Sequence, residues 1–231
     1  ITSETVEALK TLTGVNAYNI TINAADATST TAADLNAINA LTSDTVNLIN
    51  VTEIAASSLS DLETLGAAII NNEFSLGENE VVGNATDLTT IEVTDTTIDA
   101  TALASTIDSY DEINGESTTG MTLAAGATIN VDASEVIEML DDEIAGRLTI
   151  SDQAITVTGE ISVFDARELS ETTTGLLTAT ILETTIDQLE VLPFTDNALT
   201  IRLTDPSVDA DRLIDLGFST SLSIDASEVT E

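Results

Sequence analysis

A carboxylate recurs at one point of a short phrase: a strand-like apolar residue, then Asp-Ala, then another apolar residue three positions after the Ala. The copies are Ile98-Asp99-Ala100 with Leu103, Val131-Asp132-Ala133 with Val136, and Phe164-Asp165-Ala166 with Leu169. Two more follow, Val208-Asp209-Ala210 with Leu213 and Ile224-Asp225-Ala226 with Val229. A repeated aspartate can ligate a hard cation, act as a general acid or base, or accept the free N–H groups that open a helix.

Calcium is the metal this composition would suit, because a hard cation takes several carboxylate and carbonyl oxygens. Acidic clusters stand at Asp141-Asp142-Glu143, at Glu78 with Glu80, and at Asp205, Asp209 and Asp211. None has EF-hand spacing, and the Gly-rich nonapeptide of calcium β-rolls is missing. The clusters read first as solvated loop carboxylates, with a calcium site as the alternative, and no metal ligand is assigned. A carboxylate pair could hydrolyse a glycosidic bond if two acids faced each other across about 5 to 10 Å. The chain has no His, no Cys and no Trp, and it carries neither a nucleophile elbow nor a phosphate loop. No catalytic or cofactor-binding residue is assigned, and a non-enzyme is expected.

Thr-x-Thr pairs at Thr28/Thr30, Thr94/Thr96, Thr156/Thr158 and Thr178/Thr180 could form a ladder for ice or a polysaccharide. They sit at different points of the repeat, and outward strand positions explain them. Asn19, Asn50 and Asn84 open Asn-x-Thr sequons, which a chain rich in Thr and Asn also produces by chance.

The elements that would position these residues follow from periodicity. Alternating apolar positions predict strands at Ile20/Ile22, Val46/Leu48, Ile91/Val93, Ile129/Val131, Leu148/Ile150, Ile155/Val157, Ile161/Val163, Leu199/Ile201/Leu203 and Leu222/Ile224. Helical patterns follow over 30–42, 55–66, 99–113 and 133–144, with Ala133, Val136 and Leu140, or Ala210, Leu213 and Leu216, sharing a face. At each strand–helix junction the phrase's Asp is expected to be the N-cap, with Glu135 and Glu168 completing capping boxes for Asp132 and Asp165. Turn signals lie at Gly77-Glu78-Asn79, Asn114-Gly115-Glu116, Gly126 and Asp205-Pro206.

The aspartates are spaced by 33, 33, 44 and 16 residues, and the degenerate copy Thr185-Ile186-Asp187-Gln188-Leu189 splits the long gap into two steps of 22. Weaker relatives occur at 31–35, 54–59 and 84–88, and Ile1 to Val6 reads as the tail of another. Units this short must stack to bury anything. The expected fold is therefore α/β: an irregular elongated repeat solenoid of stacked β-strands with short Asp-capped helices. One continuous array over 1–231 is expected; residues 66–90 and 114–127 interrupt the rhythm, and a boundary could fall in the first.

Of 231 residues 42% are hydrophobic but only 3% aromatic, so the core must be aliphatic. Forty-one acids against five bases give a net charge of -36. With only Lys10, Arg147, Arg167, Arg202 and Arg212 to neutralise phosphates, no nucleic-acid partner and no membrane insertion are expected, and anionic membranes are disfavoured. The charge predicts a salty or calcium-rich medium, or else keeps a long fibre soluble. No apolar run is long enough to span a bilayer, and no export signal stands at Ile1, so an interior piece or a mature product is expected.

The phrases Thr156-Val157-Thr158-Gly159-Glu160-Ile161-Ser162-Val163 before Asp165-Ala166, Thr174-Gly175-Leu176-Leu177-Thr178-Ala179-Thr180-Ile181, and Asn197-Ala198-Leu199-Thr200-Ile201 before Ser207-Val208-Asp209-Ala210 carry a resemblance. They resemble repeats of very large cell-surface proteins of cyanobacteria and other marine bacteria, which often carry hemolysin-type calcium-binding regions elsewhere. The resemblance covers about residues 85 to 231; Gln188 stands where other copies have Ala. It implies an extracellular structural segment of a surface layer, sheath, filament or adhesin stalk, in contact with neighbouring repeats or with copies of itself end to end. The alternative is a calcium-dependent adhesion or carbohydrate-binding module, with calcium or surface polysaccharide as ligand. A haloarchaeal surface layer is a further reading of the low Lys and high Asp.

Overall fold

The computed structural model describes residues 4–76, 90–114, 120–183, 185–190, 192, 197–203, 207, 211–212 and 223–225. In chain order they form α1 (Val6–Leu9), β1 (Ile20–Thr21), a 3-10 turn (Ala24–Asp26), α2 (Ala32–Asn39), β2 (Val46–Asn47), α3 (Leu59–Ile70) and β3 (Phe74–Ser75). Then come β4 (Thr90–Val93), β5 (Thr97–Asp99), α4 (Ala100–Asn114), β6 (Gly120–Leu123), β7 (Thr128–Asp132), α5 (Val136–Ile144), β8 (Leu148–Thr149) and β9 (Ala154–Ile161). The series closes with α6 (Val163–Thr172), β10 (Leu177–Ile181), α7 (Ile186–Leu189), β11 (Ala198–Arg202) and β12 (Ser223–Asp225).

Period-two alternation buries one face of each longer strand: Ile91 and Val93 in β4, Ile129 and Val131 in β7, Ile155 and Val157 in β9, Leu177, Ala179 and Ile181 in β10. Helical spacing does the same for Leu59, Leu62, Leu65 and Ile69 of α3. The core is aliphatic as expected. Tyr110 is its largest fully buried side chain; its hydroxyl donates to the Leu62 carbonyl (3.2 Å), and its ring lies against Gly66, where a Cβ would meet it at 3.3 Å.

The chain divides into two compact units. The first comprises Ile1–Asp95, Ala102–Ala124 and Gly146–Thr149, the second Thr96–Thr101, Ala125–Ala145 and Ile150–Glu231. Within the first, β1-β2-β3 and β4-β6-β8 form two three-stranded sheets; within the second, β5-β7-β9-β10-β11-β12 form one six-stranded sheet. Every strand pair described is parallel. The α/β class is thus as the sequence led one to expect, and the parallel pairing is what the structure adds to it. Most of the candidate boundary in 66–90, namely 77–89, lies outside the described residues, as do Gly77-Glu78-Asn79 and Asp205-Pro206.

Two local expectations are corrected. Of residues 114–127, expected to break the rhythm, 115–119 lie outside the described residues, while Gly120–Leu123 form β6, in register with β4 through Ile91↔Met121 and with β8 through Met121↔Leu148. Val163 was expected to alternate with Ile161 in a strand; it is the first residue of α6, because Ser162 and Asp165 start a helix there.

Candidate functional site

The phrase's aspartates were expected to be N-caps, and the structure corrects this. The cap of α6 is Ser162, whose Oγ accepts the Asp165 N–H (3.1 Å), while Asp165 Oδ2 accepts the Ser162 N–H (3.4 Å) and hydroxyl (2.8 Å). Asp165 is therefore the acid of the capping box, three residues inside the helix; Glu168, assigned that part from sequence, is exposed. Asp132 ends β7 and folds a turn instead, its Oδ1 accepting the Ser134 N–H (3.0 Å) and hydroxyl (2.6 Å). The N-cap of α5 is Glu135, which makes no side-chain cap and takes the Thr101 hydroxyl (2.8 Å). Asp99 closes β5 directly before α4, Asp187 follows the Thr185 cap of α7, and Asp225 lies in β12. Asp209 lies outside the described residues. Ala100, Leu103, Val136, Ala166 and Leu169 are buried, so the apolar half of the phrase is the packing stripe it was expected to be.

The signal that marks the starts of α2, α3 and α6 is Ser/Thr-x-x-Asp. Thr31 and Asp34 make the same reciprocal box on α2, and on α3 Ser58 Oγ accepts the Asp61 N–H (3.3 Å) and donates to its carboxylate (2.5 Å). These pairs are legible in the sequence as Thr31-x-x-Asp34, Ser58-x-x-Asp61 and Ser162-x-x-Asp165.

An N-cap serves the second or third N–H of a helix and leaves the first without a partner. Here a side chain of the following strand–helix segment takes it. Val6 N–H donates to Asp26 Oδ2 (3.0 Å), Ala32 N–H to Ser57 Oγ (2.9 Å), Leu59 N–H to Asp95 Oδ2 (2.7 Å) and Val163 N–H to Glu183 Oε2 (2.7 Å). Strand register brings them there: Ser57 bridges Val93 and Ile161 pairs with Ile181, two residues before Leu59, Asp95, Val163 and Glu183 respectively. A carboxylate at the positive end of a helix is also favoured by the backbone dipole.

The cations are used the same way. Lys10 pairs with Glu7 (2.8 Å) and Asp34 (2.9 Å), Arg147 with Asp108 (3.2 Å) and Asp111 (3.4 Å), Arg167 with Glu171 (2.8 Å), and Arg212 with Asp187 and Glu190. Every cationic side chain described is therefore engaged by carboxylate. Burial pushes the Asp34 carboxyl up, but the bonds from Lys10 and Thr31 outweigh it and hold the group below its usual range. Bonds from Ser134 lower the Asp132 carboxyl. Burial raises the Tyr110 phenol well above the usual 10.0.

Among the described residues no three His, Cys, Asp or Glu side chains come together to hold a metal ion. Asp141, Asp142 and Glu143 are successive helix positions and diverge, with Asp142 buried and Asp141 exposed. Asp211 is exposed; Glu78, Glu80, Asp205 and Asp209 lie outside the described residues. Thr156 and Thr178, read from sequence as out of step, are register partners, extending a row through Asn130 to Asp99 across four strands. Their companions part: Thr158 faces Asp132 and Thr180 faces Glu160, because β9 slips register at Gly159 (φ +99°). Thr30 is buried, and Thr28, Thr94 and Thr96 are exposed. The Asn50 side-chain amide donates to the Ile22 carbonyl (2.8 Å), Asn19 is exposed, and Asn84 lies outside the described residues.

No described helix is long and apolar enough to cross a membrane. The arrangement spends its carboxylates on backbone N–H groups and cations of neighbouring segments, which is chemistry that joins one segment to the next. No family model, curated protein or solved structure matches the chain.

Proposed function

We propose that the chain is a stretch of irregular α/β solenoid and acts as a structural, non-catalytic segment of a large extracellular surface protein, in a surface layer, sheath, filament or adhesin stalk. The observation that supports this is strand order. In the six-stranded sheet β5, β7, β9, β10, β11 and β12 are neighbours in the order they occur in the chain, all parallel. A doubly wound α/β sheet instead reverses direction at a switch point, where its ligand binds. Sequential parallel pairing is the connectivity of stacked repeats, each touching the one before and the one after. Within that sheet the Val163 N–H bond to Glu183 ties the β9–α6 segment to the one after it, and the Val6, Ala32 and Leu59 bonds join successive segments of the first unit in the same way. The extracellular placement rests on the resemblance over residues 85 to 231 and on the acidic, cysteine-free composition. Its partners are then adjoining repeats, or copies of itself joined end to end by strand addition.

Excision of one step tests the reading. Ile155 pairs with Leu177, so deleting residues 155–176 removes one strand–helix segment and leaves Leu177 in the place of Ile155. The shortened chain is expected to keep its circular dichroism per residue and to melt cooperatively, as repeat arrays do. Failure to fold would mean that the sheet is one indivisible unit and would overturn the proposal.

A further inference from the structure

The helices α5 and α6 lie side by side in the second unit, and each carries large apolar side chains in water. Ile137 and Ile144, two turns apart on one side of α5, are 62% and 79% exposed, and Phe164 of α6 is 71% exposed. Single exposed apolar residues are ordinary, but three large ones on two adjacent helices leave apolar surface in water that a partner could cover. Glu138 and Asp141 on α5 and Glu168 on α6 are exposed beside them. The nearby cation, Arg167, is held by Glu171 at 2.8 Å, so the rim keeps its negative charge. Strand addition end to end is carried by backbone hydrogen bonds. A second copy laid on this helix face would instead set further carboxylates of a chain of net charge -36 against the rim, whereas a partner combining apolar side chains with Lys or Arg complements both features.

We propose that the α5–α6 face docks a cationic amphipathic segment of another protein, its apolar side chains on Ile137, Ile144 and Phe164 and its basic ones against the surrounding carboxylates. The binding mode is an amphipathic helix laid on an apolar strip with charged edges.

The test uses the full chain and two labelled peptides of about 18 residues with equal positive charge, one Leu/Lys amphipathic and one Ser/Lys, titrated by fluorescence anisotropy at about 0.15 M salt. The Leu/Lys peptide is expected to bind at least about tenfold more tightly than the Ser/Lys peptide. That advantage is expected to vanish in the variant Ile137→Ser, Ile144→Ser, Phe164→Ser, whose exposed substitutions leave circular dichroism unchanged. Equal affinity for both peptides would reduce the interaction to bare charge and overturn the proposal, as would an undiminished advantage in the variant. Sedimentation showing wild-type self-association that the variant loses would assign the face to a second copy and overturn it as well.

Discussion

Asp95 and Glu183 show how a side chain acquires its role from a neighbour rather than from its own local sequence. Asp95 follows β4 and serves the first N–H of α3; its bond to Leu59 spans 36 residues. Asp95→Ala is expected to cost about 1 to 2 kcal/mol, since Leu59 N–H loses its acceptor at the positive end of a helix, and Asp95→Asn to recover most of that. Urea denaturation of both variants checks it; a loss below a few tenths in Asp95→Ala would show that water serves Leu59 equally well. Tyr110 gives a pH-dependent counterpart. Its folded phenol titrates above the unfolded value of 10.0, so its stabilisation is complete below pH 10 and declines as the pH rises beyond it, where only the unfolded chain ionises. Tyr110→Phe is expected to lose about 1 kcal/mol at neutral pH through the bond to Leu62, and to show a flatter stability profile between about pH 10 and 11. Parallel alkaline profiles for variant and parent would refute the linkage.

At the scale of elements, the strands were legible because burial imposes a period of two, and Ile91/Val93, Ile129/Val131 and Ile155/Val157 stand inward as read. Helix starts were misplaced by up to four residues, at Leu59 of α3, and Asp165 shows one reason: an Asp can cap from outside a helix or complete a box from inside it, and only the position of Ser162 decides between them. The crossing from α6 into β10 depends on a glycine. A Cβ at Gly175 would lie 2.1 Å from the Gln153 carbonyl oxygen, while the Thr173 hydroxyl donates to that same oxygen (2.7 Å). Gly175→Ala is therefore expected to destabilise by more than about 3 kcal/mol, because backbone rather than a flexible side chain must move. At Gly126 the added Cβ meets nothing within 4 Å, and only the positive φ of +69° opposes it, so Gly126→Ala is expected to cost about 1 to 2 kcal/mol. Thermal melts of the two variants compare them; equal losses would mean that the β9–β10 approach relaxes freely.

For the whole molecule, charge dominates. Five basic residues cannot balance 41 acids, and the cationic side chains described are already paired, so the remaining carboxylates repel one another. Raising sodium chloride from about 0.01 to 0.5 M shortens the screening length from about 30 Å to a few Å and is expected to raise Tm by several degrees. Calcium at matched ionic strength is expected to act mainly as a screening ion. A further rise of about ten degrees at millimolar calcium, reversed by chelator, would favour the calcium-dependent adhesion reading. A Tm independent of salt would show that the surplus charges lie too far apart to interact.

Composition alone determined the aliphatic core, the surplus of carboxylates and the shortage of cations for an anionic partner, because these are counts that no fold can alter. Periodicity determined the strands, since the inward face of a strand must be apolar wherever it packs. Tertiary structure alone decided what the recurring aspartates do. Asp132, Asp165 and Asp187 occupy like phrases and take three parts: a turn acceptor after β7, a box acid inside α6 and an ion-pair partner of Arg212. Partners such as Arg212 and the N–H groups served by Asp26, Asp95 and Glu183 lie 20 to 36 residues away. A carboxylate is bound by what stands within 3 Å of it, and strand register, which no local phrase encodes, sets that distance.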